Sequence, residues 1–228
     1  MEEILIDGLC YTLDAENLTA ELIGSNDITS NKRKIKIPAQ VQYEQKTYKV
    51  TSIGHSAFAN CESLTSITIP DGVTEMGKRV FCYCKSLRAV TIPKSVKIIG
   101  ESPFAGCSAL TSIIVDPGNP TYDSRDNCQA IIETAFNKLI AGCVNTVIPD
   151  SVTEIGFHAF EDCYSLTSIT IPDSMTEIGW DAFSGNDALT AIDYHGTKEQ
   201  WQQIKKHEEW KDSPNIQVVR CRDGVWRL

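Results

Sequence analysis

The sequence predicts an α/β solenoid, in which coils of 23 residues stack on one another, each with a short parallel β-strand and a short helical segment. The first observation is a glycine that recurs at this step, at Gly54, Gly77, Gly100, Gly156 and Gly179. The second is a phenylalanine at the same step, at Phe58, Phe81, Phe104, Phe160 and Phe183. The third is a cysteine with a leucine three residues later, at Cys61, Cys84, Cys107 and Cys163. Repetition at about 20–29 residues with an aliphatic skeleton is typical of such folds.

One complete repeat, Val50 to Gly72, shows why each coil is expected to hold a strand. Residues 66–69 alternate polar and β-branched apolar side chains, which favours a short strand. Pro70 lacks a backbone donor and ends the strand, and Asp71 and Gly72 supply turn chemistry. We predict equivalent strands at 89–92, 112–115, 168–171 and 191–194, and weaker copies at 35–38 and 146–149. The whole pattern predicts a leucine-rich repeat.

The remaining repeat positions predict the interior of each coil. The apolar residue before each glycine should point inward, and the glycine should form a tight corner. Pairs such as Ala57-Phe58 and Ala159-Phe160 predict a helical segment of one or two turns. Because one coil is too small to bury its own apolar face, we expect the coils to share a core by stacking about 4.8 Å apart.

An insert interrupts the repeat between Phe104 and Phe160, which are 56 residues apart, ten more than two repeats. We place the insert at about 119–145. Residues 130–133 and 138–141 flank a turn at 134–137, which predicts a β-hairpin that leaves the regular coil.

Three parts of one continuous domain follow from these patterns. Residues 1–49 are predicted to form an N-terminal β cap, and residues 50–194 the leucine-rich repeats with their hairpin insert. Residues 195–228 should form a C-terminal helix and strand cap. In that cap Thr197 begins a capping box, and we predict a helix that runs to about Trp210. A final strand is expected at 217–221.

Charge and hydropathy exclude several classes of partner. The net charge of −9 opposes nucleic-acid binding, which needs a basic surface. No apolar run approaches the roughly 18 residues of a membrane-spanning helix, so we expect no membrane insertion. The acidic N-terminus shows no signal peptide. Two interpretations stay open: the protein remains inside the cell, or a signal was removed before this numbering begins.

The nine cysteines do not resemble a disulfide framework. Four of them share one repeat position, which predicts small buried side chains in a ladder. Asn186 takes the fifth rung, which we attribute to tolerance near the end of the stack. No metal-ligand spacing is present, and the redox state of the cysteines outside the repeats stays open.

The repeat closely resembles the BspA-like leucine-rich-repeat family of bacteria and some protozoan parasites. The residues that carry the resemblance follow I-G-x-x-A-F-x-x-C-x-x-L-x-x-I-x-I-P-x-x-V-T, at Ile53–Thr74 and, with Met175 for Val, at Ile155–Thr176. The segments 7–11 and 48–54 resemble the entry cap of this family, and 196–201 and 221–224 its exit cap. The resemblance implies a binding protein on the cell surface or secreted, with roles that include adhesion to host matrix proteins and to other bacteria.

No residues point to catalysis. Phosphate-loop, dinucleotide-binding, zinc-protease and nucleophile-elbow motifs are missing from the sequence, so we expect no enzyme and no cofactor. We predict solvated surface side chains for His55 and His158. Three functions are weighed: a protein-binding or adhesion module, an intracellular scaffold of the same fold, and a hydrolytic or sugar-active enzyme. The last lacks a pocket with paired carboxylates.

Two surfaces are candidates for partner binding. The position after the corner glycine should face outward, and there Phe157 and Trp180 stand on neighbouring coils with Tyr164 nearby, so their rings are expected to stack. The alternative is that the insert covers these aromatics. The second surface is the row of small residues on the outer strand face, which includes Ser66, Thr68, Thr91, Ser168 and Thr170. This row either docks a protein partner or serves strand packing alone.

Overall fold

The computed structural model describes residues 3–25 and 32–228, and most of its regular structure is β-strand. In chain order the strands are β1 (Glu3–Ile6), β2 (Leu9–Asp14), β3 (Thr19–Ser25), β4 (Lys34–Lys36), β5 (Gln40–Tyr43), β6 (Lys46–Ile53), β7 (Ser66–Thr68), β8 (Glu75–Met76), β9 (Ala89–Ile92), β10 (Ile98–Ile99), β11 (Ser112–Val115), β12 (Tyr122–Asp123), β13 (Ile131–Glu133), β14 (Lys138–Ala141), β15 (Glu154–Ile155), β16 (Thr170–Ile171), β17 (Glu177–Ile178), β18 (Ala191–Tyr194), β19 (Lys205–Lys206), β20 (Val218–Cys221) and β21 (Gly224–Arg227). The α-helix is α1 (Lys198–Gln203), and short 3-10 helices occupy Arg125–Asn127 and Thr134–Phe136.

Two sheets are built from the first half of the chain. The first begins as an antiparallel meander of β1, β2 and β3 and continues in parallel through β6, β8 and β10, with β5 folded back on β6. The second is the parallel sheet of β11, β9, β7 and β4. In this second sheet Ser66 pairs with Ala89, and Ala89 pairs with Ser112, so hydrogen-bonded neighbours stand one repeat apart.

Two further sheets are built from the second half. One has the order β12-β13-β14-β15-β17-β19 and the other β16-β18-β20-β21. The predicted hairpin is present, since β13 and β14 pair in antiparallel fashion around the 3-10 helix at Thr134–Phe136. The prediction that it leaves the coil is wrong, because β14 pairs in parallel with β15 and thereby joins the stack. Of the final hairpin, the sequence predicted only the strand at 217–221, which corresponds to β20. Strand β21, which pairs with β20 in antiparallel fashion, was not predicted.

The segment after each corner glycine is a chain of turns, so the predicted helical segments are wrong. Residues two and six positions after the glycine adopt left-handed backbone angles, as at Ser56 and Asn60 (φ 53° and 62°). Left-handed residues four apart cannot belong to one right-handed helix. Amides here donate to the next coil instead, as from Phe58 N to Val80 O at 2.9 Å.

Two more expectations fail at local sites. Helix α1 starts with the predicted capping box at Thr197 but ends at Gln203, because Ile204 is extended (ψ 126°) and β19 then pairs with β17. Residues 146–149 form no strand. Their hydrogen bonds go to the insert, from Val147 N to Cys128 O and from Thr146 Oγ1 to Gln129 O.

The repeated phenylalanines form rows of stacked rings in the core. Ring centroids are 5.6 Å apart for Phe58 and Phe81 and 5.7 Å for Phe81 and Phe104. A second row joins Phe160 and Phe183 at 5.2 Å. Such aromatic pairs add about 0.5–1.5 kcal/mol each beyond their buried area. The predicted central role of these side chains is therefore confirmed.

The predicted cysteine ladder is buried, and its thiols also donate hydrogen bonds. Cys84 Sγ donates to Phe58 O at 3.1 Å, and Cys107 Sγ donates to Phe81 O at 3.0 Å. Asn186 is fully buried and its Nδ2 donates to Phe160 O at 2.8 Å. The asparagine therefore replaces the cysteine thiol as the hydrogen-bond donor at this repeat position. This contact explains the residue more specifically than the predicted tolerance of the core near the end of the stack.

A seam crosses the molecule between residues 99–106 and residues 139–143 with 156–162. The phenylalanine row is interrupted there, since no ring pair joins Phe104 to Phe160 in the described residues. The ring of Phe160 packs against Gly142 instead, in the space that a side chain at this glycine would occupy. No backbone amide of 102–106 donates across the seam in the described chain. Side chains cross it instead, through Tyr83 Oη donating to Asp162 (2.7 Å) and Ile99 N donating to Tyr122 Oη (3.2 Å). The boundaries predicted at residues 49 and 194 stay predictions.

Candidate functional site

The residues that follow the corner glycines form an outward row, which we call the corner row: His55, Lys78, Glu101, Phe157 and Trp180. The corners are tight because adjacent backbones nearly touch. An ideal Cβ at Gly100 would lie 2.5 Å from Lys78 N, and one at Gly77 would lie 2.8 Å from Gly54 C. Each following side chain is therefore held on the outside of the turn.

Phe157 is exposed over 44% of its surface, yet its ring is fixed by its own chain. Its Cδ1 lies over Gly179, where an ideal Cβ would be only 2.7 Å away. The ring meets His207 edge-on, with centroids 5.4 Å apart, and Lys138 Nζ stands 5.2 Å from its centroid. Because the ring is held, binding a partner would cost it little conformational entropy.

Trp180 is the second large aromatic of the corner row and is 41% exposed. The outward direction predicted for both rings agrees with these exposures. The predicted stacking is wrong, because Phe157 lies across Gly179 toward His207, and no ring pair joins it to Trp180 in the described residues. The two aromatics are therefore separate exposed side chains on adjacent coils.

A cleft of about 200 Å³ lies beside Phe157, where the seam reaches the surface. Ile99, Ile140 and Tyr122 give it apolar walls, and Glu101 and Glu133 bring carboxylates to it. Sequence reasoning missed this cleft, because it depends on how the insert packs against the third coil.

Ion pairs surround the corner row. Lys138 Nζ and Glu154 Oε1 are 2.5 Å apart, and Lys78 Nζ donates to Glu101 at 2.6 Å, which lowers the pKa of that carboxyl. Glu177 accepts hydrogen bonds from Lys205 and lies 2.7 Å from His207 Nε2, and these contacts lower its pKa. Glu101 and Glu177 are therefore ionised and paired at neutral pH.

Tyr164 lies apart from these contacts, on the outside of the seam. Tyr83 Oη donates to Asp162 Oδ2, and hydrogen bonds to Asp162 and Tyr164 raise the pKa of Tyr83. Tyr164 is exposed beside this pair. The structure therefore places it in the group that crosses the seam, and within the described residues no ring pair or hydrogen bond joins it to Phe157 or Trp180.

The outer strand face carries the predicted small residues together with two larger apolar side chains. Ser66, Thr68, Thr91, Ser168 and Thr170 are all exposed. Where the repeat places threonine, the third and fourth coils carry Ile114, 46% exposed, and Val147, 70% exposed. Ala191, which stands one repeat after Ser168, is buried.

The histidines differ in their surroundings. His55 is exposed as predicted, and its Nδ1 accepts from Lys78 N at 3.2 Å. His158 is half-buried, so that prediction is wrong, since its Nδ1 lies 3.5 Å from Glu161 and 3.9 Å from Asp181. Over the described ranges, no three His, Cys, Asp or Glu side chains are grouped so that they could hold a metal ion.

The sequence matches one family model over most of its length. The model for the BspA type leucine-rich repeat region matches residues 31–125 and 129–208, in six copies. No curated protein sequence matches the chain. Within residues 3–25 and 32–228, the structure contains no helix with the length and apolar character needed to span a bilayer.

Several solved structures are similar to this chain at low identity. A leucine-rich cell surface protein from Faecalibacterium prausnitzii is 19% identical, with 90% of this chain and 98% of that chain covered and a TM-score of 0.37. The T. pallidum leucine-rich repeat protein TpLRR is 21% identical, with 84% and 81% covered and a TM-score of 0.47. The pneumococcal vaccine antigen PcpA is 13% identical, with 97% and 88% covered and a TM-score of 0.45.

Proposed function

This chain belongs to the BspA-type leucine-rich repeat family, and on that premise we propose that it is a non-catalytic protein-binding module on a bacterial cell surface. Its partners in this proposal are host matrix proteins and the surface proteins of other cells. The observation that carries the proposal is the exposure of Phe157 and Trp180 on adjacent coils.

Large aromatic side chains are the commonest energetic anchors of protein interfaces. Phe157 is already fixed between Lys138 and His207, so little side-chain freedom is lost when a partner covers it. The cleft beside it can receive a partner side chain. The corner row therefore combines fixed apolar area with an adjoining depression.

The chemistry of the same region supports binding rather than catalysis. Glu101 and Glu154 are each ion-paired to a lysine, so neither carboxylate is poised as a free base. The interior of the coils is filled by stacked rings, and the clefts are shallow and open. Extended walls of this kind suit contact with another macromolecule.

The test measures binding to a panel of immobilised extracellular-matrix proteins by biolayer interferometry. We expect the double variant Phe157→Ser/Trp180→Ser to weaken binding at least about thirtyfold, the effect of losing two interface residues of about 1–2 kcal/mol each. Circular dichroism would verify that the variant is folded.

The matched control is Phe136→Ser/Val225→Ser, which removes two exposed apolar side chains elsewhere on the protein. We expect this control to bind as wild type does. Equal affinity of wild type and the Phe157/Trp180 variant for a matrix ligand would reject the corner row as the contact surface. Binding to no member of the panel would reject host-matrix adhesion.

A second function, that of an intracellular scaffold, is favoured by one observation. Cys82 and Cys163 are buried thiols outside any disulfide, and burial raises the pKa of Cys163 to about 12 and that of Cys82 to about 11. Protease treatment of intact cells that carry the protein separates the two locations. Digestion supports the surface module, and protection supports the scaffold.

A further inference from the structure

A second interaction surface is formed by the parallel sheet of β4, β7, β9 and β11, whose outer side we call the strand face. Its side chains are aligned across the strands, because Lys34 pairs with Ser66 and Lys36 with Thr68, and Thr91 pairs with Ile114. All six of these side chains are exposed, and they alternate with buried residues along their strands. This surface does not include the corner row.

The charge of the strand face is opposite to that of the protein. The chain has 30 acidic and 21 basic residues, yet the four strands contain no carboxylate. Lys34 and Lys36 are exposed on β4, and the exposed side chains of Arg33 and Arg88 lie at the entries to β4 and β9. The described chain provides no ion pair to any of these four cations.

Two carboxylates at the rims of the face are ion-paired within the protein. Glu62 lies 2.8 Å from Lys85 Nζ, and Asp71 lies 3.7 Å from Lys94 Nζ. The cations of β4 therefore keep their attraction for an external anion, although water and salt weaken it. The electrostatic field over this part of the surface favours an acidic partner.

The opposite edge of the face is apolar. Ile114 on β11 is 46% exposed, and the positions between it and β4 carry Thr68 and Thr91, which offer methyl and hydroxyl groups. A nucleic acid or an anionic polysaccharide needs cations along its whole path. Here the cations are concentrated at one edge and the aliphatic side chain lies at the other, which suits a polypeptide with both kinds of side chain.

We propose that the strand face binds an extended acidic segment of a protein partner, with carboxylates over Lys34 and Lys36 and an aliphatic side chain on Ile114. Three strand spacings of about 4.8 Å separate β4 from β11, or about 14 Å. An extended peptide covers that distance with about four residues at about 3.3 Å each. The partner therefore carries its acidic and aliphatic groups about four residues apart.

The experiment titrates the whole protein into a fluorescein-labelled peptide, Glu-Glu-Gly-Ser-Gly-Leu-Leu, and follows fluorescence anisotropy. We expect saturable binding that weakens as salt rises from about 50 to about 300 mM. Lys34→Glu/Lys36→Glu should weaken it at least about tenfold, through reversal of the two charges, and Ile114→Ser about threefold.

The control variant Lys46→Glu/Lys49→Glu makes the same charge change at two exposed lysines of β6. It should change the affinity less than about twofold, because screening limits the reach of charges outside the face. Absence of saturable binding, or an equal loss in the control, would overturn the proposal.

Two more measurements distinguish this proposal from a general polyanion site and from binding at the corner row. If heparin or single-stranded DNA of equal charge binds more tightly than the peptide and Ile114→Ser has no effect, the face is a general polyanion site and the proposal is wrong. The variant Phe157→Ser/Trp180→Ser should bind the peptide as wild type does. A failure of the matrix-binding test therefore leaves this result unaffected.

Discussion

The corner glycines give the sharpest test of how the coils are packed, and Gly100→Ala is the chosen perturbation. An ideal Cβ at Gly100 would lie 2.5 Å from Lys78 N, 2.7 Å from Gly77 C and 2.8 Å from Lys78 Cα. All three atoms belong to the backbone of the preceding coil, so no side chain can rotate away. The backbone angles at Gly100 lie outside the left-handed region, so alanine adds no backbone strain of its own. The loss of stability therefore reports the steric clash between the new Cβ and the preceding coil.

The cost follows from the displacement that alanine requires. Normal contact between non-bonded heavy atoms is about 3.5 Å, so the two coils must separate locally by about 1 Å. Overpacking of this kind costs about 1–3 kcal/mol. The hydrogen bond from Gly100 N to Met76 O, now 2.8 Å, would also lengthen, at about 1 kcal/mol. We expect Gly100→Ala to destabilise the protein by about 2–4 kcal/mol.

The assay is urea unfolding followed by circular dichroism, with the midpoint and slope fitted together. Gly24→Ala is the matched control, because its Cβ would meet nothing closer than Ala57 O at 3.8 Å. We expect the control to be neutral or to gain up to about 1 kcal/mol from reduced freedom of the unfolded chain. A loss below about 0.5 kcal/mol in Gly100→Ala, with an unchanged slope, would refute the close approach of the two coils.

Three further predictions concern single contacts. Asn186→Ala should lower the free energy of unfolding in urea by about 1–3 kcal/mol, because Phe160 O loses its buried donor. Asn186→Cys restores the thiol of the cysteine ladder and should lower it less. Equal losses of stability in the two variants would contradict this. Tyr83→Phe removes the hydrogen bond to Asp162 and should cost about 1 kcal/mol, with faster amide exchange at the seam than elsewhere. Because hydrogen bonds lower the pKa of Glu177, its stabilising contribution should be complete above the unfolded-state pKa and vanish as the pH falls through the folded-state pKa. Urea unfolding of wild type and Glu177→Gln between pH 7 and pH 3 should therefore show a difference that shrinks on acidification, and a constant difference would contradict the assignment.

The repeat predicted the core because periodic spacing reports directly on what is buried. Phe58, Phe81 and Phe104 stack as equivalent residues should, and the strands at Ser66 and Ala89 pair in register. The expected helical segments failed because residue types alone do not reveal left-handed backbone angles at positions such as Ser56 and His158. Those angles are imposed by hydrogen bonds to the next coil.

For the candidate surfaces, the sequence predicted which side chains face outward but not which contacts they make. Sequence spacing showed that Phe157 and Trp180 should face outward. It could not show that Phe157 would turn toward His207, because that contact joins residues from different coils. The cleft at the seam and the half-buried site of His158 likewise depend on how the irregular insert packs, which no repeat position encodes.

The seam has a mechanical consequence for this protein. Across most of the molecule, rows of backbone hydrogen bonds such as that from Phe81 N to Pro103 O would share a pulling force. At the seam the load passes mainly to side-chain contacts, such as Tyr83 with Asp162 and Arg79 with Glu161, besides a long hydrogen bond from Val144 N to Leu110 O. Under tension applied along the stack, the molecule should therefore part first at this junction, with each half still wound around its own row of rings.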